Sequence, residues 1–254
     1  MKRCLLVLCS LCTSAGPAGG AFEFDDSEAA LPFGPAGLGG NPAPLATVRC
    51  WRWRTDHFRP FGLAQLASTG AALAVGRGGA GLGLGLRATG FALHRETRAW
   101  MAAAVALPAG VRLGVAATYA ELRQPRWRHR QLGLVPGARL ELKNGLQLGV
   151  WYQRGDSVVP GKLFLGLHHR LDATSVARLH LRHSTMLPTR ADLAAAQQLH
   201  PRLRLLVGLR THPRRFAVGA VVRVGHRFVS LAGITHPYLG LSRMVTAGNT
   251  CSAP

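Results

Sequence analysis

The sequence predicts an all-β protein, an antiparallel transmembrane β-barrel of about 12 strands within a range of roughly 10 to 14. Between Gly81 and Gly248, apolar residues alternate with polar or very small ones in segments broken by turn residues. Side chains on a strand point to opposite faces in turn, so each segment has one apolar face. The other face carries mainly glycine, alanine and arginine, whereas a soluble sheet, the competing interpretation, would show many charged residues of both signs.

The first residues are typical of a secretory signal peptide, which we place at residues 1–21. Lys2 and Arg3 are basic, residues 4–12 are apolar, and small residues follow. The apolar stretch is too short to cross a bilayer as a helix, which takes about 20 residues. A Gly/Pro-rich segment follows at residues 22–61, in which residues 49–54 alternate like a short strand. We therefore place the barrel at 62–248 and a C-terminal tail at 249–254.

Along the barrel region, turn residues separate the predicted strands. Residues 111–119 alternate strictly, and Asn144-Gly145 joins two alternating arms. Both of these turn residues tolerate positive φ, which favours a two-residue hairpin turn. Residues 192–199 (DLAAAQQL) are the one stretch where a helix competes with a strand. Six aromatic residues near predicted strand ends are candidates for interfacial girdles: Trp100, Tyr119, Trp127, Trp151, Tyr152 and Tyr238.

The chain is strongly basic, with 31 lysines and arginines against 11 acids and a formal net charge of +20. The arginines are spread along the chain rather than clustered with stacking aromatics, which argues against a nucleic-acid partner. Several fall on the non-apolar faces and should point into the lumen, where unpaired cations would attract anions. These lumen candidates are Arg87, Arg112, Arg139, Arg178, Arg182, Arg204, Arg210 and Arg223. Arginine as a simple lumen filler, neutralised by other counterions, remains the alternative.

Five cysteines are present, and removal of the leader would leave Cys50 and Cys251. They lie at opposite ends of the mature chain, where a closed barrel brings its first and last strands together. A disulfide between them is a candidate in an oxidising compartment.

Short motifs resemble the bacterial outer-membrane barrels related to the long-chain fatty-acid transporter, a group that includes the shuttle barrel of type IX secretion. Residues 81–122 are similar to the early strands of these barrels, and residues 236–242 are similar to the start of their last strand. Near the N-terminus, Gly39-Gly40 is similar to their Gly-Gly element, and residues 41–46 (NPAPLA) are similar to their Asn-Pro-Ala-Gly-Leu-Ala element. The resemblance implies a 14-stranded barrel, but this chain is shorter. The insert usual between the two N-terminal elements is missing, so we do not expect residues 32–46 to form a complete lumen plug.

No catalytic, metal or nucleotide site is predicted, and no cofactor. Outer-membrane hydrolases use a His-x-Ser pair on one strand face, whereas His183 and Ser184 are adjacent and should point to opposite faces. The same argument separates His168 from His169, and His180 from His183, as metal ligands. The glycine-rich residues 76–83 lack the Lys-Ser/Thr of a phosphate-binding loop.

We therefore expect a non-enzymatic barrel of the bacterial outer membrane for passive transport or capture of a small hydrophobic or anionic solute. The alternative is a non-conducting scaffold barrel of a secretion or envelope complex. Expected partners are outer-membrane lipid and lipopolysaccharide, a small anionic or hydrophobic ligand, and envelope-complex proteins in the scaffold case.

Overall fold

A computed structural model describes residues 40–91, 93–155, 161–185, 187–211, 214–236 and 238–249. The predicted leader at 1–21 and Cys251 lie outside these residues. No helix in the described part of the chain is long and apolar enough to cross a membrane.

The described chain folds into β-strands joined by short turns. The strands are β1 (Arg52–Arg59), β2 (Ser68–Arg77), β3 (Ala80–Phe91), β4 (His94–Ala106), β5 (Val111–Gln124), β6 (Trp127–Glu141), β7 (Leu146–Gln153), β8 (Lys162–Arg170), β9 (Ser175–Ser184), β10 (Leu187–His200), β11 (Leu203–Arg210), β12 (Arg215–Val224), β13 (Arg227–His236) and β14 (Gly240–Asn249). Single 3₁₀ turns occupy Ala43–Thr47, Pro60–Gly62, Ala64–Leu66, Pro108–Gly110 and Lys143–Gly145.

The strands form one closed antiparallel barrel. Each strand pairs with its neighbours in sequence, and β1 closes on β14, with Arg54 opposite Gly248. Closure leaves no sheet edge at the seam, which is the usual solution for strands in a membrane. The barrel begins at Arg52, inside the segment expected at residues 22–61.

The strand count corrects the prediction, because the barrel has strands up to β14 where about 12 were expected. One added strand is β2, which consists largely of small residues and has a weak alternation signal. The other is β10, which contains the helix-favouring residues 192–199 and nevertheless pairs with β9 and β11. Closure of the barrel therefore overrides local helix propensity here.

The outer surface is an apolar belt that runs round the barrel. From β2 to β14, every strand places at least one large apolar side chain on it. One representative of each strand in order is Leu73, Leu84, Met101, Val115, Leu134, Val150, Leu165, Leu181, Leu193, Val207, Val218, Leu231 and Val245, and all of these are exposed. A monomeric soluble protein rarely exposes so large an apolar surface, whereas a lipid-facing barrel requires it.

The interior contains two clusters of buried apolar side chains. One apolar cluster joins residues of β2 and of β4 to β7, including Trp100 and Trp151, to the N-terminal residues Leu45 and Val48. A second lies on the opposite wall, formed by Phe58, Leu206, Ala217, Val221, Phe228, Ile234 and Met244. Trp100 and Trp151 were expected in an interfacial girdle and instead face inward, where large side chains fill the lumen.

The two ends of the barrel differ. Both ends of the described chain, and turns of two to four residues such as Asn144-Gly145, lie at one end. Asn144 and Gly145 have φ of 64° and 73°, as the sequence predicted for this turn. The longest connections, between β1 and β2 and between β7 and β8, lie at the other end. Outer-membrane barrels keep short turns on the periplasmic side and longer loops outside, so we refer to the two ends as the turn end and the loop end.

Candidate functional site

Residues 41–48, the plug segment, lie inside the barrel near the turn end. Asn41 Nδ2 donates a 2.9 Å hydrogen bond to the carbonyl of Ala138 on β6, and Asn41 Oδ1 accepts one of 3.0 Å from Ala43 N–H. Leu45 and Val48 are completely buried among residues of the barrel wall. A complete plug was not expected from residues 32–46, and the part of that stretch that the structure describes nevertheless reaches the interior.

Glycines of the wall make room for the plug segment. A Cβ on Gly81 would collide with the carbonyl oxygen of Leu45, and one on Gly76 with that of Val48. On β5, a Cβ on Gly114 would lie 2.7 Å from the backbone N of Ala43. Each of these glycines faces inward, so the plug backbone rests directly against the wall at positions where any larger residue would push it away.

The wall is interrupted between β6 and β7 toward the loop end. The last described pair between these strands is Gly137 with Trp151, although β6 extends to Trp127 and pairs with β5 along its whole length. We call the β7-facing edge of residues 127–136 the wall break. Within the described residues, no strand is paired with β6 along this edge.

Pro136 explains where the pairing stops. Leu142 N–H donates to Leu146 O at 2.8 Å, so the even-numbered residues of β6 direct their backbone N–H and C=O toward β7. After the Ala138–Val150 pair, the next residue in this series is Pro136. Proline has no N–H to donate, so the ladder ends there.

The wall break joins an apolar interior to an apolar exterior. On the inner side, Val135 is completely buried, and the rings of Trp151 and Phe164 stack with centroids 5.4 Å apart beside it. On the outer side, Leu132 is 82% and Leu134 65% exposed. Apolar side chains therefore lie on both the inner and the outer side of the wall break.

All eight arginines predicted for the lumen do face the interior. They alternate along their strands with outward apolar residues, and five of them are buried: Arg87, Arg139, Arg182, Arg204 and Arg210. Arg112, Arg178 and Arg223 are partly exposed. Whether they attract anions stays a prediction.

At least three of these arginines form ion pairs with acids in the described part of the chain. Arg87 pairs with Asp56, Arg210 with Asp192, and Arg112 Nη2 lies 2.6 Å from Glu141 Oε2. Strand alternation alone places Glu141 among the lumen arginines, because it shares a strand face with Arg139. Asp56 was missed because it lies in the N-terminal segment, and Asp192 because it begins the helix-like stretch. The lumen is therefore less positive than the sequence suggested.

The histidines lie as strand alternation predicts. His168 is buried and faces inward, whereas His169 points outward. His183 is exposed and its Nδ1 lies 2.9 Å from Thr189 Oγ1, while Ser184 is buried on the opposite face. The two side chains of this pair therefore cannot act together as base and nucleophile. Among the described residues, no three His, Cys, Asp or Glu residues cluster to hold a metal ion.

No family model matches the chain, and no curated protein matches it in sequence. Solved structures do match it in shape. The toluene transporter TbuX of Ralstonia pickettii superposes with a TM-score of 0.67 at 13% identity, covering 92% of this chain and 96% of that one.

The fold is that of the outer-membrane hydrocarbon channels. The monoaromatic hydrocarbon channel CymD matches with a TM-score of 0.67 at 13% identity, over 89% of this chain and 95% of that one. A Pseudomonas aeruginosa FadL homologue gives 0.62 at 10% identity, over 91% and 94%. The resemblance seen in the sequence is thus confirmed at the level of the fold. These neighbours are described as channels, transporters or their homologues, and none of the three as an enzyme.

Sequence reasoning did not single out Pro136, nor the wall contacts of the plug segment. A proline inside an otherwise regular strand indicates an edge, and Pro136 lies in the region just before the alternating arm that leads into Asn144-Gly145. The contacts of the plug segment could not be predicted, because the glycines that it packs against are single residues on different strands, far apart in sequence.

Proposed function

We propose that this protein is an outer-membrane barrel for the passive passage of a small hydrophobic solute, which moves between the lumen and the membrane through the wall break. The observation that carries the proposal is the end of the β6–β7 ladder at Pro136, beside the buried Val135 and the Trp151–Phe164 stack. The apolar belt on β2 to β14 supports the membrane location.

The packed interior favours a hydrophobic solute over a hydrated one. The plug segment fills the lumen near the turn end, and two apolar clusters occupy opposite walls. A water-filled porin interior is polar and open along its length. Here, by contrast, several inward arginines are buried, and Arg87 and Arg210 are neutralised by carboxylates.

The structural neighbours support the same solute class. They are described as transporters or channels for toluene and monoaromatic hydrocarbons, which are small, uncharged and non-polar. The scaffold alternative finds no support among them.

The test restores the missing backbone donor. In Pro136→Val, the strand regains an N–H directed toward β7, so the ladder can extend and the wall break should narrow. The matched control is Pro188→Val on β10, which lies where the register between β9 and β10 shifts. Radiolabelled toluene uptake into liposomes containing each protein is measured beside planar-bilayer conductance.

We expect wild type and Pro188→Val to take up toluene at similar rates, and Pro136→Val several-fold more slowly, with no steady ionic conductance from any of them. If the two proline variants took up toluene at equal rates, the wall break would not be part of the transport route. Steady anion-selective current without toluene uptake would instead favour an anionic solute drawn by the inward arginines.

A further inference from the structure

A patch of arginines lies on the outer wall of the tall β4–β6 region near the loop end. Arg95, Arg123 and Arg128 occupy one row across three adjacent strands, since Arg95 pairs with Arg123 and Arg123 with Arg128. All three are exposed and lie on the same face as the apolar belt. Arg130 is the next outward-facing residue of β6 after Arg128 and lies nearer the apolar belt. Arg126 lies in the exposed turn between β5 and β6.

The patch holds one carboxylate. Glu121 Oε2 accepts bonds from Arg128 Nη2 at 2.6 Å, Arg130 Nε at 3.1 Å and the hydroxyl of Tyr119 at 2.6 Å. Within the described part of the chain, Arg95 and Arg123 form no ion pair. Like charges directly opposite each other destabilise a sheet. An external anion bound to this row of three arginines would therefore stabilise it.

The surroundings of the patch indicate which kind of anion would bind to it. Directly toward the turn end, the same outer face becomes apolar, with Leu132, Leu134 and Met101 all highly exposed. The patch therefore lies at the border between the apolar belt and water. Arginine binds phosphate through paired N–H groups, and neighbouring strands hold such side chains about 5 Å apart.

We propose that the patch binds the phosphate groups of an outer-leaflet phosphoglycolipid of the lipid A type, with the acyl chains of that lipid lying on Leu132, Leu134 and Met101. Glu121 holds Arg128 and Arg130 in place and leaves their remaining donors directed at the ligand. The proposal rests on the outer-membrane location proposed above, but not on transport of any solute.

The experiment measures how lipid A protects the barrel against heating. Wild type, Arg95→Gln/Arg123→Gln/Arg128→Gln and a control, Arg77→Gln/Arg227→Gln, are placed in nanodiscs with bisphosphorylated lipid A, dephosphorylated lipid A or neither. Arg77 and Arg227 also point outward, but they lie at the turn end. The rate at which each protein loses its compact gel band at a fixed temperature is the readout.

Bisphosphorylated lipid A should slow unfolding of wild type and control, and its apparent affinity for the triple variant should be at least about tenfold weaker. Equal protection of the triple variant, or equal protection by the dephosphorylated lipid, would overturn the proposal. Inorganic pyrophosphate alone should protect little, and full protection by it would show a free-anion site in place of a lipid site.

Failure of the lipid site and failure of transport remain distinguishable. Toluene uptake by the double variant Arg95→Gln/Arg123→Gln should equal that of wild type, because these two residues point outward on β4 and β5 and lie outside the wall break. A protein that does not enter nanodiscs at all would contradict the membrane location itself and with it this proposal.

Discussion

Asp192 on β10 and Arg210 on β11 form a two-point ion pair inside the barrel, with Arg210 Nε 2.5 Å from Asp192 Oδ1 and Nη2 2.8 Å from Oδ2. Both side chains are almost completely buried. Removing one partner from a buried pair leaves a charge without its counter-charge, which is far more costly than never having built the pair. Asp192 belongs to a stretch that resembles a helix in the sequence. In the structure, its carboxylate holds Arg210 in place inside the lumen.

Asp192→Asn should lower the free energy of unfolding by about 3 kcal/mol, because Arg210 stays buried without its carboxylate. Urea titration of the protein in lipid vesicles, followed by tryptophan fluorescence, measures the change. Glu121→Gln is the matched control, since its arginine partners are about half exposed, and it should lower stability much less than Asp192→Asn does. Similar effects of the two variants would contradict a special role for the buried pair.

Gly81→Ala should displace the plug segment, because the new methyl group would collide with the carbonyl of Leu45. The displacement is read out in a Leu45→Cys background, where position 45 is fully buried and should react slowly with a maleimide. Adding Gly81→Ala should speed labelling by at least about tenfold, because destabilising the seated plug by about 1.4 kcal/mol or more raises its unseated fraction tenfold or more.

The control for the plug experiment is Gly233→Ala. A Cβ there would meet only a terminal carbon of Leu241, at an ordinary contact distance of 3.4 Å. Labelling of position 45 should then stay slow. Slow labelling in both variants would mean that the wall, and not the plug, gives way at Gly81.

The sequence pattern sufficed for the membrane barrel and for the direction of most side chains. On β12, Phe216 and Val218 point outward and Ala217 inward, as period-two alternation requires. Such patterns can be recognised in the sequence because successive side chains of a strand point to opposite faces of the barrel wall. The Asn144-Gly145 turn was predictable for the same reason, since its geometry depends on the turn residues alone.

The features that could not be predicted from the sequence depend on contacts between residues far apart in the chain. The partner of Asp192 is 18 residues away, and Asn41 reaches Ala138 across 97 residues. Ala109 also adopts positive φ, at 58°, in a turn where nothing in the residue itself favours that conformation. No local pattern encodes such contacts, because they exist only once the barrel has closed.

The turn between β8 and β9 should resist acid. Asp172 accepts hydrogen bonds from the hydroxyl of Ser175, the backbone N–H of Thr174 and the hydroxyl of Thr174, and these bonds lower its pKa to about 2. A lowered carboxyl pKa means that the stabilisation is fully present above the unfolded value near 4. It is then lost as the pH falls through about 2.

We therefore expect the amide resonances of Thr174 and Ser175 to stay unchanged from neutral pH down to about 4 and to shift only near pH 2. Ser175→Ala removes the first of these bonds and should move the transition toward the ordinary carboxyl range. A wild-type transition near pH 4 would show that the turn does not hold the carboxylate.

Cys50 takes part in a disulfide, and the β1–β14 seam indicates its partner. Trp53 N–H donates to Asn249 Oδ1 at 2.7 Å, and Asn249 Nδ2 donates to Trp51 O at 3.3 Å. These bonds bring the chain just before Cys251 next to the residue that follows Cys50. Cys251 itself lies outside the described residues, so the pairing predicted from the sequence remains to be tested.

We predict that Cys50 and Cys251 are joined in the mature protein and that the bond stabilises the closed barrel by about 2–4 kcal/mol, because it ties together the two ends of a long loop. After boiling without reductant, the wild-type protein should run faster on a gel than after reduction. Cys50→Ser and Cys251→Ser should each abolish the difference and unfold at equally lower urea concentrations. Alkylation of both cysteines in the folded, unreduced protein would exclude the bond, and the seam would then depend on strand pairing alone.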